Sequence, residues 1–189
     1  MSWDLDEKKG SSSSKIDFTK LPEGITRLRV VDESPFSRWT HWLPQFKRSV
    51  NCPGLNCPID KIRKEQKALG ETPKYGISKR FAIHVINRDT GNLEILEQGK
   101  TFFEQLRDLI ADNGDLRNYD IKVRRRGEGL NTSYRIDVAE ETPLSDGDKK
   151  LIESRVDFNE YFKPHTPEQI NRLLAGEPWE SVMTSNEVS

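Results

Sequence analysis

Cysteine is nearly absent from this chain: Cys52 and Cys57 are the two in 189 residues, five positions apart. So few thiols exclude a disulfide-stapled scaffold, and their close spacing favours metal binding or free thiols. Long apolar runs are missing as well. No stretch approaches the roughly 18 residues of a membrane span. Hydrophobic residues make up 33% of the chain and mean hydropathy is -0.78. They cluster in the middle, which is enough for a modest core within one globular domain. Met1 to Gly10 holds no apolar h-region, so secretion is not expected. Also missing are a nucleophile elbow, a Gly-rich phosphate loop and a His-Glu-x-x-His motif. Three His and scattered acids do not compose an acid/base pair, so a non-enzymatic role is expected.

What is present is unevenly charged. The net charge is -1, yet residues 38–80 carry ten Lys/Arg against three Asp/Glu, a net of +7. Residues 137–189 carry five against twelve, a net of -7. A basic half beside an acidic one points to a polyanion site and allows the acidic part to compete for it. The competing explanation is two solvated faces.

The richest segment runs over residues 37–60, S-R-W-T-H-W-L-P-Q-F-K-R-S-V-N-C-P-G-L-N-C-P-I-D. Aromatics interleaved with cations suit a surface where bases stack and phosphates are neutralised. His41, Cys52 and Cys57 have the chemistry of a small zinc loop, and Asp60 stands three residues on, where a fourth ligand would sit. Asp60 as a helix cap and free thiols are the alternatives.

Patterning gives the organisation. Residues 1–20, with Gly10 and Ser11–Ser14, are expected to form a disordered tail. Residues 21–143 form the nucleic-acid-binding domain, with the His/Cys loop inserted at 41–60, and 144–189 an acidic helical region frayed from 181. Gly24–Val31 reads as a strand, Leu28 and Val30 on one face and Arg27 and Arg29 on the other. Phe36–Leu43 reads as a second strand, and Asp60–Leu69 as a short basic helix. Arg80–Ile86 with Leu93–Glu97, and Asp120–Arg126 with Ser133–Val138, read as hairpins around an amphipathic helix at Lys100–Ile110. Ser145 and Thr166 open two later helices, Thr166 with Pro167 at the first helical position. The fold expected is α+β, mainly β: an OB-fold five-stranded barrel with a zinc-type loop and C-terminal helices.

Candidate stacking rings are Trp39, Trp42, Tyr75 and Tyr134. Core packing is the rival use of any aromatic, and Phe81 is assigned to it. Tyr75 stands among Lys74, Lys79 and Arg80 in a Gly-containing loop. Candidate phosphate contacts are Arg38, Lys47, Arg48, Lys79, Arg80, Lys122, Arg124 and Arg126. Lys122-Val-Arg-Arg-Arg126 faces Arg135 across a hairpin, and the basic run from Lys47 to Lys79 is expected to extend one track.

The motifs R-W-T-H-W-L-P, C-P-G-x-x-C-P-I, I-N-R-D-T-G-x-L-E-I-L-E-Q-G-K-x-F-F-E-Q-L and D-I-K-V-R-R-R-G-E-G resemble tailed-phage single-stranded DNA-binding proteins. The likeness extends to the helix-destabilising protein of the T-even phages and covers roughly Leu21 to Phe162. It implies an OB-fold, Zn2+ held by His41, Cys52 and Cys57, and an acidic C-terminal region that recruits phage replication proteins. It also implies work in the host cytoplasm. Position 60 departs from the family pattern, carrying Asp60 in place of a Cys. The leading expectation is a sequence-tolerant protein that coats single-stranded DNA. The alternatives are a replication-associated interaction module, an RNA-binding regulator and a metal-dependent nuclease.

Overall fold

Strands arise where apolar and polar residues alternate, because successive side chains point to opposite faces. A computed structural model of the chain describes residues 15–184, and expectations for 1–14 and 185–189 lie outside the described residues. It contains β1 (Asp17–Phe18), β2 (Gly24–Val30), β3 (Phe36–Leu43), β4 (Arg48–Asn51), β5 (Ser78–Asn87), β6 (Asn92–Gln98), β7 (Tyr119–Arg126) and β8 (Ser133–Glu141). The helices are α1 (Pro58–Ala68), α2 (Lys100–Asn113), α3 (Asp146–Ile152), α4 (Phe158–Tyr161), α5 (Pro167–Leu174) and α6 (Trp179–Thr184). The α+β, mainly β reading with C-terminal helices stands. Residues 17–18 depart from the expected tail, because they add a short parallel strand to β6.

The sheet runs β1-β6-β5-β2-β7-β8, with β3 pairing both β5 and β4. It is an open sheet of eight strands among the described residues, not the five-stranded closed barrel expected from the element order. The reason lies in β5, which is ten residues long. Its C-terminal half pairs with β2 (Val30 opposite Val85), while its N-terminal half pairs with β3 (Phe36 opposite Ala82). Sharing one edge sends β3 off as a branch.

Both faces of β5 are covered. Ile83 and Val85 join Leu28, Val30, Ile121, Val123 and Ile136 under Phe102, Phe103 and Leu106 of α2. On the opposite face, Ile86 and Leu93 meet Leu151 and Ile152, while Ala82 and Ile95 meet Phe162. The acidic C-terminal region is therefore folded back onto the sheet. Phe162 lies 6.0 Å from Phe36 at 13°, and Phe158 lies 4.1 Å from the His84 ring at 9°. The capping boxes of Ser145 with Asp148 and Thr166 with Gln169 start α3 and α5. Val182 is buried in a second core with Leu43, Val50, Ile59, Tyr75, Ile170 and Leu173. Fraying thus does not begin at 181, since α6 continues to Thr184.

Arg29 lies on the face opposite Leu28 and Val30, as the alternation requires, and is 0% exposed there. Its Nε donates to Asp120 Oδ1 at 2.7 Å and its Nη1 to the Thr142 carbonyl at 3.0 Å. Arg88 spans Asp120 and Asp148, the latter at 2.6 Å. A cation enters a sheet interior only when its hydrogen bonds are met, and the returning C-terminal region supplies those partners.

Truncating Phe162 to Ala removes a buried ring from this contact and should cost about 3–5 kcal/mol in urea unfolding. Asp32 accepts from the His84 backbone N–H (2.7 Å) and ring Nδ1 (2.8 Å), and from Arg155 at 3.1 Å. Burial pushes its carboxyl up, but these bonds together outweigh burial and hold it below the usual range. The resulting stability is fully present above the ordinary carboxylate pKa of about 3.9 and lost as pH falls through the depressed value. Acid titration of an Asp32→Asn variant should show a flatter stability profile in that window. A slope equal to the parent's would remove Asp32 from the account.

Candidate metal cluster and nucleic-acid interface

The Cys52–Cys57 loop closes tightly because Gly54 and Asn56 take positive φ (78° and 64°), a region open to Gly and tolerated by Asn. The Cys57 N–H returns to the Gly54 carbonyl at 3.3 Å, and Pro58 begins α1. Asp60 stands in the first turn of α1, and no side chain caps that helix. It turns instead toward His41, Cys52 and Cys57, and the four ligand atoms all lie within 4.8 Å of one another. Cys57 Sγ is 3.5 Å from His41 Nε2, Cys52 Sγ is 3.5 Å from Asp60 Oδ2, and His41 Nε2 is 3.6 Å from Asp60 Oδ1. Tetrahedral zinc with ordinary bond lengths separates its ligands by about 3.3–3.8 Å; the three distances above fall in that range, and the whole set, within 4.8 Å, could close around a metal ion. His41 Nδ1–H donates to the Gly76 carbonyl at 3.1 Å, leaving Nε2 for the cluster. Burial, with Cys57 and Asp60 close by, pushes the Cys52 thiol up to about 12.

The strand leading into this cluster displays two rings. Trp39 is 49% and Trp42 48% exposed. They stand three apart on β3, so they project from opposite faces. Trp39 pairs with Lys79, whose Nζ lies 5.7 Å from the Trp39 ring and 5.5 Å from Phe81. Phe81 stacks on Phe103 at 5.3 Å, and both line a groove of about 620 Å³ with Ile83, Leu106 and Ile110. Trp39, Lys79 and the groove therefore lie on the α2 face of the sheet.

The opposite face of β2, β7 and β8 is basic. Register places Arg27 beside Lys122, and Ile25, Arg124 and Arg135 in the next row. Arg126 follows in the row beyond, opposite Ser133. The β7–β8 hairpin needs Gly127, which has φ +79°, and where a Cβ would meet the Asn131 carbonyl oxygen at 2.3 Å. Arg27 was missed in the sequence because its partner Lys122 is 95 residues away.

The other expected residues are dispersed. Tyr75 is 5% exposed and sits in the second core, where the neighbouring cations had suggested a displayed ring. Tyr134 packs edge-on against Phe102 at 5.4 Å. Arg38 is held by Glu97 (2.6 Å) and Asn51 (2.9 Å), with its guanidinium 3.7 Å from the Phe162 ring. Arg80 shares Glu97 at 3.0 Å. Arg48 lies over Trp179 and 3.7 Å from Glu180. Lys47 is exposed in the β3–β4 turn. The single basic track is thus broken, since Glu97 holds both Arg38 and Arg80 and Phe162 covers Arg38.

Among known proteins, the chain is similar to the "Probable ssDNA-binding protein" of Escherichia phage T5, 25% identical over 147 residues. The match takes in 68% of this chain but only 57% of that relative's length. No family model matches the chain. No solved structure matches it.

Titration with Co2+ should develop thiolate-to-metal absorption at one equivalent, and Cys57→Ala should abolish it. Metal at about a thousandfold over its Kd should add about 4.1 kcal/mol to the unfolding free energy, which a chelator then removes. Unchanged unfolding with and without metal would mean the four groups serve only packing.

Proposed function

We propose that this chain is a non-enzymatic, sequence-tolerant single-stranded DNA-binding protein. It would coat exposed strands during phage replication, recombination or repair in the host cytoplasm. One observation carries the reading: the half-exposed Trp39 ring shares Lys79 with Phe81, on the sheet face that also carries the apolar groove beside α2. A ring with an adjacent cation serves any base, because every base has a π-face and every nucleotide a phosphate. Lys47, exposed in the β3–β4 turn, adds a cation at the end of the same strand, whereas Trp42 projects from the other face and Arg48 is engaged by Trp179 and Glu180. The name of the T5 relative supports the same reading.

The cluster of His41, Cys52, Cys57 and Asp60 is assigned to structural zinc, which would join β3, the Cys loop and α1. The likeness to the T-even protein rests on this loop and on the motifs around it. Kinship with the OB-fold is likewise part of the proposal, supported by the antiparallel β2, β3, β5, β6 and β7 with α2. Exposed acids of the C-terminal region, Glu153, Glu160 and Glu168, are assigned to recruiting replication partners.

Tryptophan fluorescence should be quenched by single-stranded DNA far more than by duplex, and the quenching should recede as salt rises. Trp39→Ala should weaken binding by about 1–3 kcal/mol. Equal affinity for both DNA forms, or a Trp39→Ala variant that binds like its parent, would sink the stacking account.

A further inference from the structure

Fifteen arginines lie among the described residues; eleven of them donate hydrogen bonds to protein oxygens, and a twelfth, Arg48, forms an ion pair with Glu180 at 3.7 Å. Most of these partners are carboxylates; Arg63 and Arg125 use the carbonyls of Tyr75 and Leu21. Arg27, Arg124 and Arg126 are the remainder, and register sets all three on one face of the adjacent strands β2 and β7. Lys122 stands between them, directly opposite Arg27. Arg135 shares the face but is paired with Asp137 at 3.2 Å. Successive rows on one strand are about 6.8 Å apart, so the cations form a ladder rather than a point. Elsewhere this side of the sheet is covered by the C-terminal region, which ends its contact at the Arg29–Asp120–Arg88–Asp148 cluster.

The ladder has no ring. Its neighbours in register are Ile25, Ser133, Arg135 and Asp137. The residues suited to stacking, Trp39 and Phe81, belong to the opposite, α2 face. Charge without aromatics grips a sugar–phosphate backbone and reads nothing of its bases. A strand lying along Trp39 would have to round the sheet to reach this ladder.

We infer that the Arg27, Lys122, Arg124 and Arg126 face is a second polynucleotide site, which holds the backbone of another strand while the Trp39 face holds the first. This rests on the reading of the chain as a single-stranded DNA-binding protein and goes beyond it. Two strands on one molecule meet at a high effective concentration, so the protein promotes pairing of complementary strands. No bond is made or broken.

The test uses two oligo-dT strands, one with a donor and one with an acceptor dye, mixed equally at two strands per molecule of the full chain. Energy transfer between the non-complementary strands should be seen with the parent. It should be lost in the triple variant Arg27→Gln, Arg124→Gln, Arg126→Gln, which keeps its Trp39 quenching. Replacing the same three by Lys should restore transfer. The salt dependence of second-strand binding should shallow by about 2 in slope for the Gln variant, at roughly 0.7 per lost contact. Annealing of complementary labelled strands should fall to the protein-free rate with Gln and recover with Lys. A parent that quenches but shows no transfer overturns the second site alone, as does a Gln variant that anneals like the parent. A parent that neither quenches nor binds overturns the earlier reading and this one with it.

Discussion

Double-sided burial of β5 is the constraint from which the rest of the molecule follows. A strand with apolar residues on both faces must be covered twice. Ile83 and Val85 take the cover of α2, whereas Ala82 and Ile86 take that of the returning C-terminal region. The second cover extends only as far as Arg29 and Asp120. It divides one face of the sheet into a sealed half, against β5 and β6, and an open basic half on β2, β7 and β8. Had α3 and α4 stayed away, His84, Ile86 and Ile95 would face water, and Arg38 would be free of Phe162.

The second core depends on the same return. Ile170, Leu173 and Val182 close over Leu43, Val50 and Ile59, beside the buried His41 and Cys57. The Cys loop alone has too little apolar surface to order itself, so helix packing and a metal are complementary ways to hold it. Through β3, that order reaches Trp39. The cluster is thus joined through β3 to the half-exposed Trp39.

Local structure was legible in the sequence to a large degree. Phe36–Leu43 is matched at both ends, Lys100 starts α2 as periodicity required, and Ser145 and Thr166 cap their helices. The four candidate ligands were legible because they fall within 20 consecutive residues and share coordination chemistry. Tyr75 and Arg38 were misjudged because each was weighed against its neighbours in sequence. Their surroundings are set by residues far along the chain: Ile170 and Leu173 for Tyr75, and Glu97 and Phe162 for Arg38. The short β1 and β4 carry too few residues for a period to show.

Charge separation, element order and the ligand set were determined by the sequence alone, because each depends on residue type and short spacing. Which cations remain available was decided only by tertiary structure. Lys and Arg look alike in a sequence, but a folded chain pairs each one or leaves it bare according to the acids brought beside it. Glu97 takes Arg38 and Arg80, whereas no acid faces Arg27, Arg124 or Arg126 in register. The twist and pairing of the sheet also settle which side a ring shows. Trp39 and Trp42 stand three apart in one aromatic run, yet the strand's period of two turns them to opposite faces.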